Sequence, residues 1–232
     1  MAIPLYLAKT AAEFALTEKQ PDHLAWMACH FSPYGTGLTN LPTNLPENSL
    51  LILNDRTPVH AHDPARVKDT LSEIVSNQNC CGVLLDLQRP SCTETAEIVK
   101  VLLTLPCPVC ISDLYAKELD CPVFLPPVPL NATVEEYLAP WQNREIWLDA
   151  ALESLQCRVT ENGPVFTPTT IPLFPAQKEL HLHFHYHINV EEDSALFSIW
   201  RTAEDLHEQL LEAEEFGVKR AVGLWQEFKN NE

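Results

Sequence analysis

Short apolar runs alternate with amphipathic helical stretches along almost the whole chain, and this alternation restricts the fold more than any other feature. An apolar run of a few residues, bounded by turn signals, is the pattern of a strand buried on both faces. When such strands alternate with helices, the sheet they build is parallel. The runs are Ile3 to Leu7, Leu24 to Phe31, Ser49 to Leu53, Gly82 to Leu87, Cys107 to Ile111, Pro122 to Leu125, Glu145 to Ala151 and Arg220 to Trp225. Caps and stripes mark the helices between them. Asp63-Pro64 is a cap with proline at the first helical position, and Val67, Leu71, Ile74 and Val75 then share one face. Ile98, Val99, Leu102 and Leu103 form a second stripe. Thr133 with Glu136 makes a capping box, and Thr202 with Asp205 caps a late helix.

Before the last run comes an excursion, about residues 155–190, with turn residues at Asn162-Gly163-Pro164 and alternating strands on either side; Leu196 to Trp200 ends it. The pattern predicts one α/β domain over residues 1–232: a compact (β/α)8 TIM barrel with a small β-hairpin insertion before the last strand–helix segment. A length of 232 residues makes it lean against the roughly 250 typical of that architecture. A doubly wound open sheet is the alternative, and it normally brings a glycine-rich first turn.

Glycine is scarce here: 6 residues against 19 prolines. The one G-x-G, Gly35 and Gly37, has Asn40 where a third glycine would stand, which excludes a dinucleotide fingerprint. A net charge of −17 argues against nucleic acid as a partner, since backbone phosphates demand clustered cations. No run approaches the roughly 18 to 20 apolar residues of a membrane helix. Residues 1–9 lack the basic start and long apolar run of a signal peptide, so a cytoplasmic location is expected. The 8 cysteines sit mostly in apolar runs and read as buried free thiols. Cys107-Pro-Val-Cys110 has redox spacing but lies in a strand-like run, where residues three apart point to opposite faces.

In such a barrel the chemistry sits at the carboxyl ends of the strands. Those ends carry His30 and Tyr34; Asn54, Asp55 and Arg56; Asp86, Gln88 and Arg89; Asp113 and Tyr115; Glu153; and Trp225, Gln226 and Glu227. Carboxylates, two arginines and aromatic faces suit a sugar ring, whose C–H face stacks while its hydroxyls seek donors and acceptors. The plainer expectation is that Asp55 with Arg56, and Asp86 with Arg89, are ion pairs of the barrel rim.

Cys81-Gly-Val-Leu-Leu-Asp-Leu-Gln88, on the fourth strand, resembles the D-G-x-D-x-D-x-E motif of family-18 glycoside hydrolases, the chitinase-like enzymes. The segment Leu196 to Leu206 and the strand Ala221-Val-Gly-Leu-Trp225 resemble the stretch where those barrels close. The resemblance implies a sugar cleft with Trp225 as the floor of a subsite, and an insertion domain before the last strand. In that family the substrate's acetamido oxygen attacks the anomeric carbon, an aspartate orients it, and the motif's glutamic acid protonates the leaving oxygen. Here the aspartate position is Asp86 and the glutamic acid position is Gln88. The other two aspartates of the motif fall at Cys81 and Leu84. A glutamine can hydrogen-bond a glycosidic oxygen but cannot protonate it, and general acid catalysis is worth about 10² to 10⁴-fold. The resemblance therefore implies a carbohydrate-binding, glycoside-hydrolase-like barrel without its usual acid. An active glycosidase that uses Asp86 with another carboxylate, such as Glu153, Asp113, Asp55 or Glu227, is the alternative.

His181, His183, His185 and His187 alternate with Leu182, Phe184, Tyr186 and Ile188. On a strand all four imidazoles would share one face at about 6.6 Å per two residues. His183 and His185 are then the candidate pair for a zinc ion and a metal-dependent hydrolase; otherwise no cofactor is expected. The simpler expectation is an insertion strand with its histidines toward solvent. The acidic helix from Thr202 to Phe216 reads as a solvated outer helix, with a docking face as the alternative.

Overall fold

Eight parallel strands close on themselves. The computed structural model describes residues 3–34, 37–59, 62–117, 119–168 and 176–229. The barrel strands are β1 (Leu5–Lys9), β2 (Leu24–Phe31), β4 (Leu50–Asn54), β5 (Gly82–Asp86), β6 (Val109–Ser112), β7 (Val123–Leu125), β8 (Ile146–Asp149) and β14 (Val218–Leu224). Neighbours run in the order β1-β14-β8-β7-β6-β5-β4-β2, and β1 pairs in parallel with β2 to complete the circle. A short strand β3 (Leu38–Thr39) adds antiparallel to the end of β2. The helices are α1 (Ala11–Leu16), α2 (Pro64–Asn77), α3 (Thr93–Leu102), α4 (Asp113–Ala116), α5 (Val134–Leu138), α6 (Ala203–Glu215) and α7 (Trp225–Phe228). This is the (β/α)8 TIM barrel that the alternation predicts.

Side chains alternate across each strand and so divide the core into two layers. Leu50 and Ile52 of β4, Leu84 of β5, Phe124 of β7, Trp147 of β8 and Val222 of β14 fill the barrel interior. Their neighbours Leu51, Leu53, Val83 and Leu85 point outward, onto Val67, Leu71 and Val75 of α2 and Ile98, Val99 and Leu102 of α3. The caps act as expected. Asp63 accepts from the Ala65 amide, and Thr133 and Thr202 form reciprocal boxes with Glu136 and Asp205.

The insertion is larger than a hairpin. The strands β9 (Ser154–Thr160), β10 (Gly163–Pro168), β11 (Gln177–Glu179), β12 (Phe184–Val190) and β13 (Ser194–Trp200) form an antiparallel sheet in the order β10-β9-β13-β12-β11. Residues 169–175 of the expected hairpin lie outside the described residues. The hairpin turn at Asn162-Gly163 is where it was expected, with Gly163 at φ +104. What enlarges it is β13, which pairs with both β9 and β12 and joins two hairpins into one sheet. Those pairings bridge up to several tens of residues and leave no local mark in the sequence.

The histidine ladder does not form as expected. Strand β12 begins at Phe184, so His181 and His183 lie in the preceding turn, and His183 takes a left-handed φ of +51. Of the four, only His185 and His187 belong to the strand. The eight cysteines are all free. Among the described residues no helix is long and apolar enough to cross a membrane.

Candidate functional site

At the carboxyl ends of the strands lies a cavity of about 810 Å³. Ile52, Leu84, Phe124 and Val222 make an apolar floor continuous with the barrel interior. Above it the wall is polar, with Asp86 at the end of β5 and Gln88 just after it, Asp149 at the end of β8, and Glu227 on α7. His30, Asn54, Asp55, Arg56 and Arg89 line the side formed by β2, β4 and β5.

Asp55 organises that side rather than offering a free charge. It is buried, and its two carboxylate oxygens accept from the backbone amides of Gln88 at 3.0 Å and Arg89 at 2.8 Å. Arg89 returns the contact: its Nε donates to the Asp55 carbonyl at 2.8 Å and its Nη2 to the Arg56 carbonyl at 3.0 Å. The Tyr115 hydroxyl then donates to the Arg89 carbonyl at 2.7 Å. The expected side-chain pair of Asp55 with Arg56 is thus replaced by bonds to main chain, which fix the loop after β5. His30 is oriented by its own strand, with Nδ1 2.9 Å from the Ala28 carbonyl.

With the loop fixed, Asp86 and Gln88 stand side by side. Residues two apart on an extended chain point the same way, and the Gln88 amide donates to Asp86 Oδ1. Expecting Asp86 to pair with Arg89 misjudged the register: its neighbour is Gln88, while Arg89 turns to Asp55. Burial pushes the Asp86 carboxyl above its ordinary range; the Gln88 bond opposes this and the charge of Asp55 adds to it.

Asp149 lines the cavity as well, although the sequence did not single it out. It ends β8 as Asp86 ends β5, so the signal was available: an acidic residue closing a buried strand run. Burial, then the negative charges of Asp86, Glu227 and Glu153, push its carboxyl up to about 7. A carboxyl of that kind holds a proton through much of the neutral range and can act as an acid. Glu227 reaches the cavity because the chain turns sharply after β14. A Cβ on Gly223 would stand 2.6 Å from the Phe228 ring and 2.7 Å from the Ala150 carbonyl, so only glycine lets α7 fold back there. Glu227 Oε2 accepts from the Leu152 amide at 2.7 Å.

Five expected residues lie elsewhere. Tyr34 is 91% exposed, on the loop after β2, and does not line the cavity. Asp113 and Tyr115 start the short α4, outside the cavity wall. Glu153 sits behind it, 3.7 Å from Nη1 of the buried Arg201 and raised by burial despite that cation. Trp225 is not the floor of the cavity. Strand β14 ends at Leu224, and Trp225 opens α7 with its ring packed against the outer core and beneath the Lys9 ammonium, 4.4 Å from the ring centre.

The expected metal pair is taken up by α6. His183 Nε2 lies 2.8 Å from Glu212 Oε2, and His185 Nδ1 lies 2.8 Å from Asp205 Oδ2. Lys178 Nζ is also 3.2 Å from Asp205 and 2.8 Å from Glu208. Among the described residues no group of three or more histidine, cysteine or acidic side chains is arranged to hold a metal ion. These contacts tie the insertion sheet to α6, so part of that acidic helix is a packing face.

No protein-family model matches the chain, and no curated protein matches it in sequence. Solved structures do match in shape. A class V chitinase from tobacco, a Glu-to-Gln mutant in complex with NAG4, superposes at a TM-score of 0.62 with 10% identity, over 96% of this chain and 93% of that one. The spore cortex-lytic enzyme SleL of Bacillus cereus gives 0.58 and 10%, over 95% and 70%. SleL of Bacillus megaterium gives 0.52 and 9%, over 96% and 70%. At these identities the likeness speaks for the fold alone, the (β/α)8 barrel that this chain shares with those enzymes.

Proposed function

We propose that the chain binds a carbohydrate oligomer in the cavity at the strand ends, through a glycosidase-like site without the usual glutamic acid. The observation that carries this reading is the Asp86–Gln88 pair inside that cavity, at the positions where the sequence resembles the family motif. Asp86 offers a carboxylate to a hydroxyl or an amide N–H of the sugar. Gln88 presents an amide that can donate to a glycosidic oxygen but has no proton to give up. The apolar floor beneath suits the C–H face of a sugar ring.

Titration calorimetry with the tetramer of N-acetylglucosamine tests the reading. Binding is expected without release of shorter oligomers, and Asp86→Ala is expected to weaken it by about tenfold or more, the worth of a charge-assisted hydrogen bond. Gln88→Glu is expected to raise hydrolysis toward the 10² to 10⁴-fold that a general acid supplies. Failure of the wild-type chain to bind any sugar oligomer would overturn the proposal.

One observation favours a second reading, an active glycosidase with an altered acid. Asp149 faces the cavity with its carboxyl pushed up to about 7. In this mechanism its proton passes to the leaving glycosidic oxygen as the C–O bond breaks, and Asp86 steadies the charge that develops on the sugar. A water then bonds to the anomeric carbon, and the proton it releases restores the Asp149 carboxyl. Turnover by the wild-type chain, falling as pH rises through about 7 and lost in Asp149→Asn with binding retained, would replace the first reading by this one.

A further inference from the structure

The polar wall of the cavity is electrically one-sided. Asp86, Asp149 and Glu227 come from three separate elements, β5, β8 and α7, and all line the same space. The charges that act on Asp149 are those of Asp86, Glu227 and Glu153, all negative. The cavity also holds two arginines. Arg89 spends its guanidinium on the carbonyls of Asp55 and Arg56, and Arg56 is exposed at the rim. His30 is the remaining titratable group of the wall, bonded through Nδ1 to the Ala28 carbonyl. Asp55 has both oxygens on backbone amides. Three carboxyl groups that disfavour one another's ionisation across a partly enclosed space gain most from a ligand that brings a cation among them.

We propose that the cavity selects a glycan bearing free ammonium groups, an amino-sugar oligomer without its N-acetyl caps, because Asp86, Asp149 and Glu227 surround the space in which its rings would lie. This inference rests on reading the cavity as a carbohydrate site. A neutral sugar leaves Asp149 holding its proton beside Asp86 and Glu227, and an anionic sugar adds negative charge to that wall. An ammonium donates three hydrogen bonds and cancels one charge, and it stabilises Asp149 in its ionised form, so a proton leaves as the ligand binds.

The test is titration calorimetry with tetramers of glucosamine, N-acetylglucosamine and glucose. It is run at about pH 5.5, where the amino groups of glucosamine units, weakened as bases by their neighbouring oxygens, still carry most of their protons, in salt of about 0.15 M, where the Debye length is about 8 Å. The glucosamine tetramer is expected to bind about tenfold or more tighter than the other two, the size of one charge-assisted hydrogen bond. Asp149→Asn is expected to bring that ratio close to one. Glu204→Gln, on the exposed first turn of α6, is expected to leave it unchanged. If the N-acetylated tetramer binds as well or better, the cavity remains a sugar site and the preference for ammonium groups is overturned. A preference that survives both Asp149→Asn and Asp86→Asn belongs to the acidic outer surface, and that also overturns it. If no oligomer binds, the carbohydrate reading fails as well.

Discussion

Replacing Asp149 by asparagine should make the protein more stable, and the gain should depend on pH. The carboxyl is raised from 3.8 to about 7 by burial and by Asp86, Glu227 and Glu153, which means that its ionised form is the disfavoured one in the folded chain. Between those two values the folded chain keeps the proton and the unfolded chain has lost it, so stability falls as pH rises through the window. The cost is absent below about pH 4 and complete above about pH 7. At about 1.4 kcal/mol per pH unit the full displacement corresponds to about 4 kcal/mol. Asp149 keeps some contact with solvent, and relaxation with water entry lowers the figure, so about 2 kcal/mol is the expectation at pH 8. Asparagine is nearly isosteric and carries no charge, and the Ala150 amide keeps its bond to the Val222 carbonyl. Urea unfolding of the wild type and Asp149→Asn at pH 4.5, 6 and 8 measures the effect. For a chain of 232 residues, 2 kcal/mol also corresponds to a rise in Tm of about 4–8 °C. A variant whose advantage is the same at all three pH values, or that is less stable at pH 8, would refute the claim that Asp149 is a crowded, proton-holding carboxyl.

Other consequences follow from the same geometry. Asp55→Ala leaves the Gln88 and Arg89 amides without their carboxylate and should cost about 3 kcal/mol by urea unfolding; a loss below about 1 kcal/mol would show that the loop after β5 holds itself. Gly223→Ala drives a methyl group into the Phe228 ring and the Ala150 carbonyl, for a loss of about 1–3 kcal/mol in thermal melts, and an unchanged melt would contradict the close approach. Asp205 is raised by burial but held lower on balance by Thr202, His185 and Lys178. Its contribution is present above about pH 4 and lost as pH falls through its lowered value, so the amide-exchange protection of β11 to β13, taken against the intrinsic rate at each pH, should fall in acid, and Asp205→Asn should remove that dependence. Trp225→Phe should leave sugar affinity within about twofold, since the indole lies under Lys9 outside the cavity; a tenfold loss of binding would return it to the subsite that the motif resemblance implies.

The architecture was legible because it is written in short-range patterns. An apolar run such as Leu50 to Leu53 suits a strand buried on both faces, and Asp63-Pro64 opens a helix at a position where proline's missing N–H costs nothing. Repeating that unit determines a parallel sheet, and parallel strands place their carboxyl ends together, so the place of Asp86, Gln88, Arg89 and Glu227 along the cavity could be read from the chain alone. The scarcity of glycine belongs here too. Two of the six glycines, Gly82 and Gly223, stand on barrel strands, where another backbone or side chain comes within about 3 Å of the missing Cβ.

What only the tertiary structure decided depends on distance in sequence or on a shift of one residue. β13 joins two hairpins through pairings with β9 and β12 that no local pattern announces. The histidine ladder is broken because the strand starts at Phe184, which leaves His183 in a turn aimed at Glu212 and His185 bonded to Asp205. Trp225 leaves the cavity because β14 ends one residue before it, and a change of backbone direction at that point carries the whole side chain to another layer. Asp149 acquires its character from Asp86 and Glu227, far away in sequence. Composition and periodicity name the strands and their ends, but the strength with which a carboxyl holds its proton is set by the charges and burial that only closure of the barrel brings to it.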